Sequence, residues 1–553
     1  MPKKMVDVCI IGSGAGGGPI ALELGKAGFD VVVLEKGPWY KKDDFFHDEI
    51  LNSRRNFFMP FPWDEPHLWR AGLQEPYTRT NEGWTANCVG GGTVHMSGFF
   101  YRFKPVDFRL KTELKTAPSG SNVVDWPISY ADLAPYYDKA EEELGVSGNA
   151  VPHPFLEPRT KNYPVPPLAE HPVALEIDRV CGDLGWHSIP TARAIITTPY
   201  HGRDPCVYCT LCGSYGCEHD AKSSTSAALI PSAVATGRVE VRPKCMARHI
   251  TVNAKGLAQS VVYTDENGEE QEQPAKVVVV AATALESARL LLNSKSSRFP
   301  DGLANHNGLV GKNLVFSSFG QSKATFRISK QKAAMPWLEL SMPFVNRSMQ
   351  DFYLMPDERF GFRKGGTLGF MWAHPNPIFA AVGMAKKGPN GIFGRALKDK
   401  LREYRDSRIL EFEIYGEFLS NPDTSVTVDP KVTDRYGLPV AAVTVKRHPV
   451  DLTMIKFLVE RGEEVLASLK PDRLDRVGTA GDTNILQGGT CRFGKDPKTS
   501  VLDPDCRSHS VKNLYVTDGS FLPTSGGVPV TLTIVANAFR VADRMVAHLK
   551  HRK

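Results

Sequence analysis

The chain has 553 residues, 42% hydrophobic and 23% charged, which exceeds one typical core and predicts two or more domains of ordinary globular composition. Its net charge of +6 is mild and the basic residues are scattered, which argues against a nucleic-acid partner. No apolar run approaches the ~18 residues of a transmembrane helix, and four of the ten cysteines crowd into residues 206–217, unlike a secreted disulfide framework.

Residues 6–37 read as a compact βαβ unit. An apolar run, Val6 to Ile11, meets Gly12, Gly14 and Gly17, and a helix-like segment returns to a second run, Val31 to Leu34. Gly12 allows a tight turn, Gly14 lets backbone amides approach a pyrophosphate, and Gly17 lets helix and strand pack closely. Glu35 follows Gly14 by 21 residues, the distance at which an acid can hold a ribose hydroxyl. Glycine-rich turns are common, and an ordinary crossover is the competing reading. Strand, helix and acid together predict dinucleotide binding, with the pyrophosphate on the helix N-terminus. Met1-Pro-Lys-Lys-Met5 runs directly into the first strand, so no secretory leader is read and a cytoplasmic location is expected unless a partner carries the chain out.

Residues 38–80, rich in Trp, Phe and Pro without a steady period, read as long surface or lid-like loops. Residues 87–98 then carry Gly90, Gly91 and Gly92 before Thr93 and His95, a second place where backbone can approach something bulky. With the N-terminal fingerprint, this segment resembles the glucose-methanol-choline (GMC) oxidoreductases. That resemblance implies FAD lying against both stretches, including Gly91, Thr93 and His95. In some relatives the matching histidine is bonded covalently to the flavin.

Residues 125–145 have the spacing of an amphipathic helix at Tyr136, Tyr137, Ala140 and Leu144; residues 147–172 are proline-rich and irregular. Val173, Ile177, Val180 and Leu184 predict a second helix, started by Pro172. Cys206, Cys209, Cys212 and Cys217 then follow the pattern C-x2-C-x2-C-x4-C, a loop short enough to wrap an iron-sulfur cluster. Zinc, or a set of redox or free thiols, are the alternatives. The resemblance extends to bacterial FAD-dependent glucose dehydrogenases, whose cluster ligands match Cys206, Cys212 and Cys217. Cys209 is extra, so [3Fe-4S] and [4Fe-4S] both stay open.

Residues 238–282 alternate strand-like runs, with a hairpin turn at Asp265-Glu-Asn-Gly268 and a buried strand at Lys276 to Ala282; Leu285 to Ser294 reads as a helix. The resemblance places Ala247 against the adenine, and Leu285-Glu286 replaces the family's usual Thr-Pro. No second dinucleotide fingerprint follows, which speaks against a nicotinamide partner. Beyond residue 314 the pattern turns antiparallel. Leu410, Phe412, Ile414 and Phe418 alternate with Glu411, Glu413 and Glu417, predicting a strand with one wet face. Residues 421–430 and 437–445 look like neighbouring strands of one sheet. Residues 334–395, including Gly369 to His374, are rich in Met, Phe, Trp and Gly, and either line a pocket, face a partner or fill a core.

The C-terminal motifs at 489–494, 513–523 and 526–533 lead into a final helix. By resemblance Asp518 meets the FAD, and the helix N-terminus points at the flavin, where a positive end favours the anionic reduced form. The positions of the family's proton acceptor and its partner are Leu486 and Pro529, neither of which takes a proton. Gln487 and Asn484 are then the candidates for orienting substrate, and any base must come from elsewhere. Histidines 374 and 448 read as structural.

The expected fold is α/β: a Rossmann-like FAD-binding domain in three parts (1–160, 205–310, 475–553), interleaved with an insertion at 161–204 and an α+β substrate domain on an antiparallel sheet at 311–474. The expected function is an FAD-dependent oxidoreductase acting at a CH-OH group. It would pass electrons through an iron-sulfur cluster to an external acceptor, with a small subunit and a c-type cytochrome as partners. The alternatives are flavin chemistry at a carbon-carbon bond, or an electron-transfer flavoprotein.

Overall fold

The computed structural model describes residues 4–51, 57–83, 85–114, 117–355, 364–373, 376–385, 391–479 and 484–550. Val6–Ile11 forms the centre of a seven-stranded sheet, because its apolar stretch Val8–Ile11 is covered on both faces. Val31–Leu34 and Glu270–Val280 flank it in parallel, with Cys9 opposite Val32 and Val278. Val239–Arg242 extends the parallel set on one side and Leu514–Val516 on the other. The hairpin turn after Thr264 then joins Ala258–Thr264 to Glu270–Val280, as the Asp-Glu-Asn-Gly sequence predicts.

Helix Gly18–Lys26 covers one face of this sheet and packs against the C-terminal helix, Thr531–Lys550, which in turn packs on Tyr130–Leu144. The last of these is capped by Ser129, whose hydroxyl accepts the Asp132 N–H, and ends at left-handed Gly145. Its buried face includes Tyr137, Ala140 and Leu144, as the spacing predicts.

A second, six-stranded antiparallel sheet runs in the order Arg473–Thr479, Gly320–Arg327, Ser407–Gly416, Gly366–Trp372, Arg347–Met349, Ser188–Pro190. Its back is closed by helix Pro449–Ser468, with Leu410, Phe412 and Ile414 packed against Ile455, Leu458 and Val459 in one apolar cluster.

Two expectations are corrected here. Residues 38–80 are not all loop: His67–Ala71 and Thr78–Thr80 are strands, and Leu68 pairs with Ala442 in parallel. They complete a separate four-stranded sheet with Ser425–Thr433 and Pro439–Val445, which do pair with one another but do not join the sheet of residues 407–416. The face of that last strand expected to be wet is largely covered: Glu411 is 5% exposed and Glu413 half-buried, and Glu417, just past the strand, is 3% exposed. His374 lies outside the described residues. No helix among the described residues is long and apolar enough to cross a membrane.

Candidate active site

A cavity of about 450 Å³ runs from the C-terminal ends of the parallel strands to the front of the antiparallel sheet. This is where open α/β sheets place their ligands. Its floor is the glycine turn. Gly12 has φ +99°, and a Cβ there would overlap the Ala281 carbonyl; a Cβ on Gly17 would overlap the Gly12 carbonyl. Both positions therefore require glycine for the protein's own packing. Gly14 differs: a Cβ there would meet only Gly90 O at 3.6 Å and Gly91 Cα at 3.9 Å, while the residue borders the cavity. Nothing in the chain itself forbids a side chain at Gly14, which fits a backbone kept bare for a bound group.

Glu35 organises this floor. Its Oε2 accepts the Ser13 N–H at 3.1 Å and the Ser13 hydroxyl at 2.7 Å, and its Oε1 accepts the Gly37 N–H at 3.1 Å. Burial raises the Glu35 carboxyl, and the Gly37 and Ser13 hydrogen bonds offset that only in part. Ser13 Oγ also accepts the Gly90 N–H at 2.9 Å, so the two glycine turns are tied together. Thr93 locks the second turn by donating to the Gly90 carbonyl at 2.6 Å. Gly91, at φ +52°, Thr93 and His95 all line the cavity, as does Ala247 at the end bounded by Glu35. The His95 ring lies 5.4 Å from that of Phe58.

Asp518 lines the cavity from the C-terminal segment. It accepts the Ser520 N–H at 2.8 Å and the hydroxyls of Ser287 and Ser520, which joins helix Ala284–Asn293 to the turn before the last helix. Pro529, Val530 and Thr531 bring the start of the C-terminal helix to the same wall. Glu286, where the resemblance expects Thr-Pro, belongs to a buried ionic network. It bonds His67 Nε2 at 3.0 Å and Arg289 at 3.1 Å, and Arg289 reaches Asp434 at 2.6 Å. Burial alone would raise Glu286, but Arg289, His67 and Lys36 outweigh it and hold its carboxyl well below the usual range.

The two residues expected to orient substrate are occupied elsewhere. Gln487 borders the cavity, yet its Oε1 accepts the Leu285 N–H at 2.7 Å and its Nε2 donates to the Gly83 carbonyl at 2.6 Å. Asn484 is 4% exposed, accepts from Arg447 at 3.1 Å and is not among the cavity residues. Leu486, at φ +58°, does face the cavity beside Pro529, and neither carries a proton-accepting group.

The polar groups that sequence reasoning missed stand on the antiparallel sheet. Glu413 and Tyr415 line the cavity, and the Tyr415 hydroxyl donates to Glu413 Oε2 at 2.8 Å. Burial pushes the Tyr415 phenol well up, so it stays a neutral donor. Two residues earlier, Glu411 pairs with Lys323 at 2.9 Å. The alternation of acids was visible in the sequence, but a polar cavity and open water give the same period-2 signal.

The cysteine loop lies alongside. The Ser214 N–H donates to the His95 carbonyl at 2.8 Å, and Ser214 lines the cavity. Cys206 and Cys212 pack against Leu168, Ile195 and Phe344, and burial pushes the Cys206 thiol up to about 12. All four thiols are free, and among the described residues no group of three or more His, Cys, Asp or Glu is set to hold a metal.

The sequence patterns of GMC oxidoreductases match residues 170–317 and 420–538. Over 97% of its length the chain is 33% identical to the 2-methyl-1,2-propanediol dehydrogenase of Mycolicibacterium austroafricanum, 94% of which is covered. The chain belongs to the GMC oxidoreductase family. This GMC oxidoreductase is also 31% identical, over 99% of its length, to the paromamine 6'-oxidase of Streptomyces fradiae, 93% of which is covered. Among solved structures, the pyridoxine 4-oxidase from Mesorbium loti shares its fold at a TM-score of 0.64 and 17% identity, with 98% of this chain and 99% of that one covered. A variant of the formate oxidase of Aspergillus oryzae RIB40 superposes at 0.65 and 14% identity over 100% of both chains. Membership makes the protein an FAD-dependent oxidoreductase, and the bare backbone at Gly14 fits that cofactor.

Proposed function

We propose that this GMC oxidoreductase oxidises a CH-OH group of a small organic substrate and hands the electrons to an external acceptor. FAD supplies the two-electron chemistry when bound. Gly12, Gly14, Gly91, Thr93 and Asp518 would hold its pyrophosphate side, with Gly17 packed behind the turn, Glu35 and Ala247 its adenosine side, and His95 and the start of the last helix its flavin side. The observation that carries the reading is the continuity of the cavity, which leads from the glycine turns to a sheet face bearing Glu413 and Tyr415. That face can bind and orient a hydroxyl compound while the apolar back of the sheet seals it from water. Two further relatives are named for such chemistry, the gluconate 2-dehydrogenase flavoprotein of Pantoea cypripedii and the fructose dehydrogenase large subunit of Gluconobacter japonicus, each 25% identical. The second of these names, a large subunit, supports an assembly with a further subunit, and a redox protein such as a c-type cytochrome is the acceptor that the family resemblance suggests.

The C-x2-C-x2-C-x4-C spacing supports an iron-sulfur relay, although among the described residues the thiols form no group of three or more set to hold a metal ion. Iron with acid-labile sulfide in anaerobically purified protein would uphold the relay, and their absence would remove it. The test of the main reading is an anaerobic screen of alcohols, polyols and sugars for bleaching of the bound flavin. A second reading, redox chemistry at a carbon-carbon bond, is favoured by Leu486 and Pro529, which leave the family's base positions without one. Enones that reoxidise the reduced flavin, with no alcohol that reduces it, would establish that reading.

A further inference from the structure

The oxidation of a hydroxyl requires that its proton go somewhere as hydride leaves carbon, and a positioned base contributes about 100- to 10,000-fold. In this cavity Leu486 and Pro529 offer none, and the Gln487 amide is tied at both ends to backbone. Glu35 and Asp518 accept hydrogen bonds from their own turns, and Glu286 is bound into the network with Arg289 and His67. The antiparallel sheet supplies a different group. Leu410, Phe412 and Ile414 turn into the apolar core, so the alternation of the strand turns Glu413 and Tyr415 to the cavity.

We propose that Glu413 accepts the substrate's hydroxyl proton, with Tyr415 as its positioning residue. The inference rests on the reading of this cavity as a CH-OH oxidation site. Tyr415 donates to Oε2 at 2.8 Å, which orients the carboxylate beside the cavity. In the step, the substrate O–H bond breaks and its proton passes to the Glu413 carboxylate. The carbinol C–H bond would break with its electron pair as the carbon-oxygen double bond forms, and bound FAD would supply the two-electron acceptor for that hydride. The substrate would lose two electrons to it, and the proton on Glu413 would leave to solvent. The charged and titratable groups facing this pair are Arg193 and Tyr101, within electrostatic reach of Tyr415, and the Lys323–Glu411 ion pair on the same sheet.

The test uses the FAD-loaded protein and an alcohol found by the anaerobic screen. Glu413→Gln should slow flavin reduction by about 100- to 10,000-fold and abolish the rise of rate with pH, at unchanged flavin content. Glu413→Asp should restore part of the rate, and Tyr415→Phe should lower the rate less than Glu413→Gln does. A tertiary alcohol of the same skeleton cannot be oxidised but offers the same O–H. Glu413→Ala should weaken its binding by about 10- to 100-fold while leaving the binding of its methyl ether unchanged. An unslowed Glu413→Gln, or the same loss in His95→Gln instead, would overturn the assignment and leave the alcohol reading standing. A wild-type flavin that no alcohol reduces but enones reoxidise would overturn both.

Discussion

Replacing Gly14 and Gly16 separately by alanine distinguishes a backbone kept bare for a ligand from one kept bare for the fold. A Cβ on Gly16 would lie 2.7 Å from both Asp518 N and Thr517 O and 2.8 Å from Asp518 Cα. Ordinary contact starts near 3.4 Å, so backbone must move by about 0.7 Å on a segment that also carries a strand-end hydrogen bond, at a cost near the upper end of overpacking, about 3 kcal/mol. A Cβ on Gly14 meets protein no closer than 3.6 Å and projects beside the cavity. Gly14→Ala should therefore leave the stability of the apoprotein within about 0.5 kcal/mol of wild type. Its affinity for FAD should fall about 10- to 100-fold, because the methyl group overpacks the bound cofactor by about 1–3 kcal/mol. Gly16→Ala should lose both. Urea denaturation of the flavin-free proteins and fluorescence titration with FAD measure the two quantities. Wild-type FAD affinity in Gly14→Ala would refute the placement of the cofactor on this turn.

Glu35→Gln replaces a carboxylate that accepts three hydrogen bonds from the turn, and FAD binding should weaken by about 10-fold or more in the same titration. Glu417 and Asp451 are buried carboxyls, pushed up by that burial to about 7 and about 8, with Lys364 and the Leu419 N–H offsetting it only in part. The unfolded chain releases these protons at lower pH than the native state does, so stability should decline as pH rises from about 5 to about 8, by on the order of 3 kcal/mol per group. Denaturation midpoints across that range check the decline, and Glu417→Gln should reduce its slope; a flat or rising profile would contradict the assignment.

The parts of the fold that were legible in the sequence are the ones written locally. Residues 6–37 carry their own strand, turn and helix, and the hairpin at 265–268 announces itself in four residues. The strands at 67–71 and 78–80 were not legible, because neither run alternates and the pairing that anchors them, of 67–71 with 439–445, spans more than 300 residues. At the site, motif spacing pointed to Gly12, Gly14 and Glu35, and the family resemblance to Gly91, His95 and Asp518, all of which line one cavity. Neither could show that the Gln487 amide is consumed by the Leu285 and Gly83 backbone, nor that among the described residues the thiols of residues 206–217 form no group set to hold a metal ion. Both depend on side-chain directions set by packing, which spacing along the chain does not encode. Glu413 was read as one of an alternating set on a wet face, and it is half-buried at the cavity instead, since only the sheet's position decides what its polar face meets.

The most direct test of the account is anaerobic mixing of the purified, flavin-loaded protein with a panel of alcohols, polyols and sugars while the visible absorbance of the flavin is followed. Bleaching by at least one hydroxyl compound, with formation of the corresponding carbonyl compound in a one-to-one ratio to flavin, is the predicted result. A flavin that no hydroxyl compound reduces, but that enones reoxidise after chemical reduction, would contradict it.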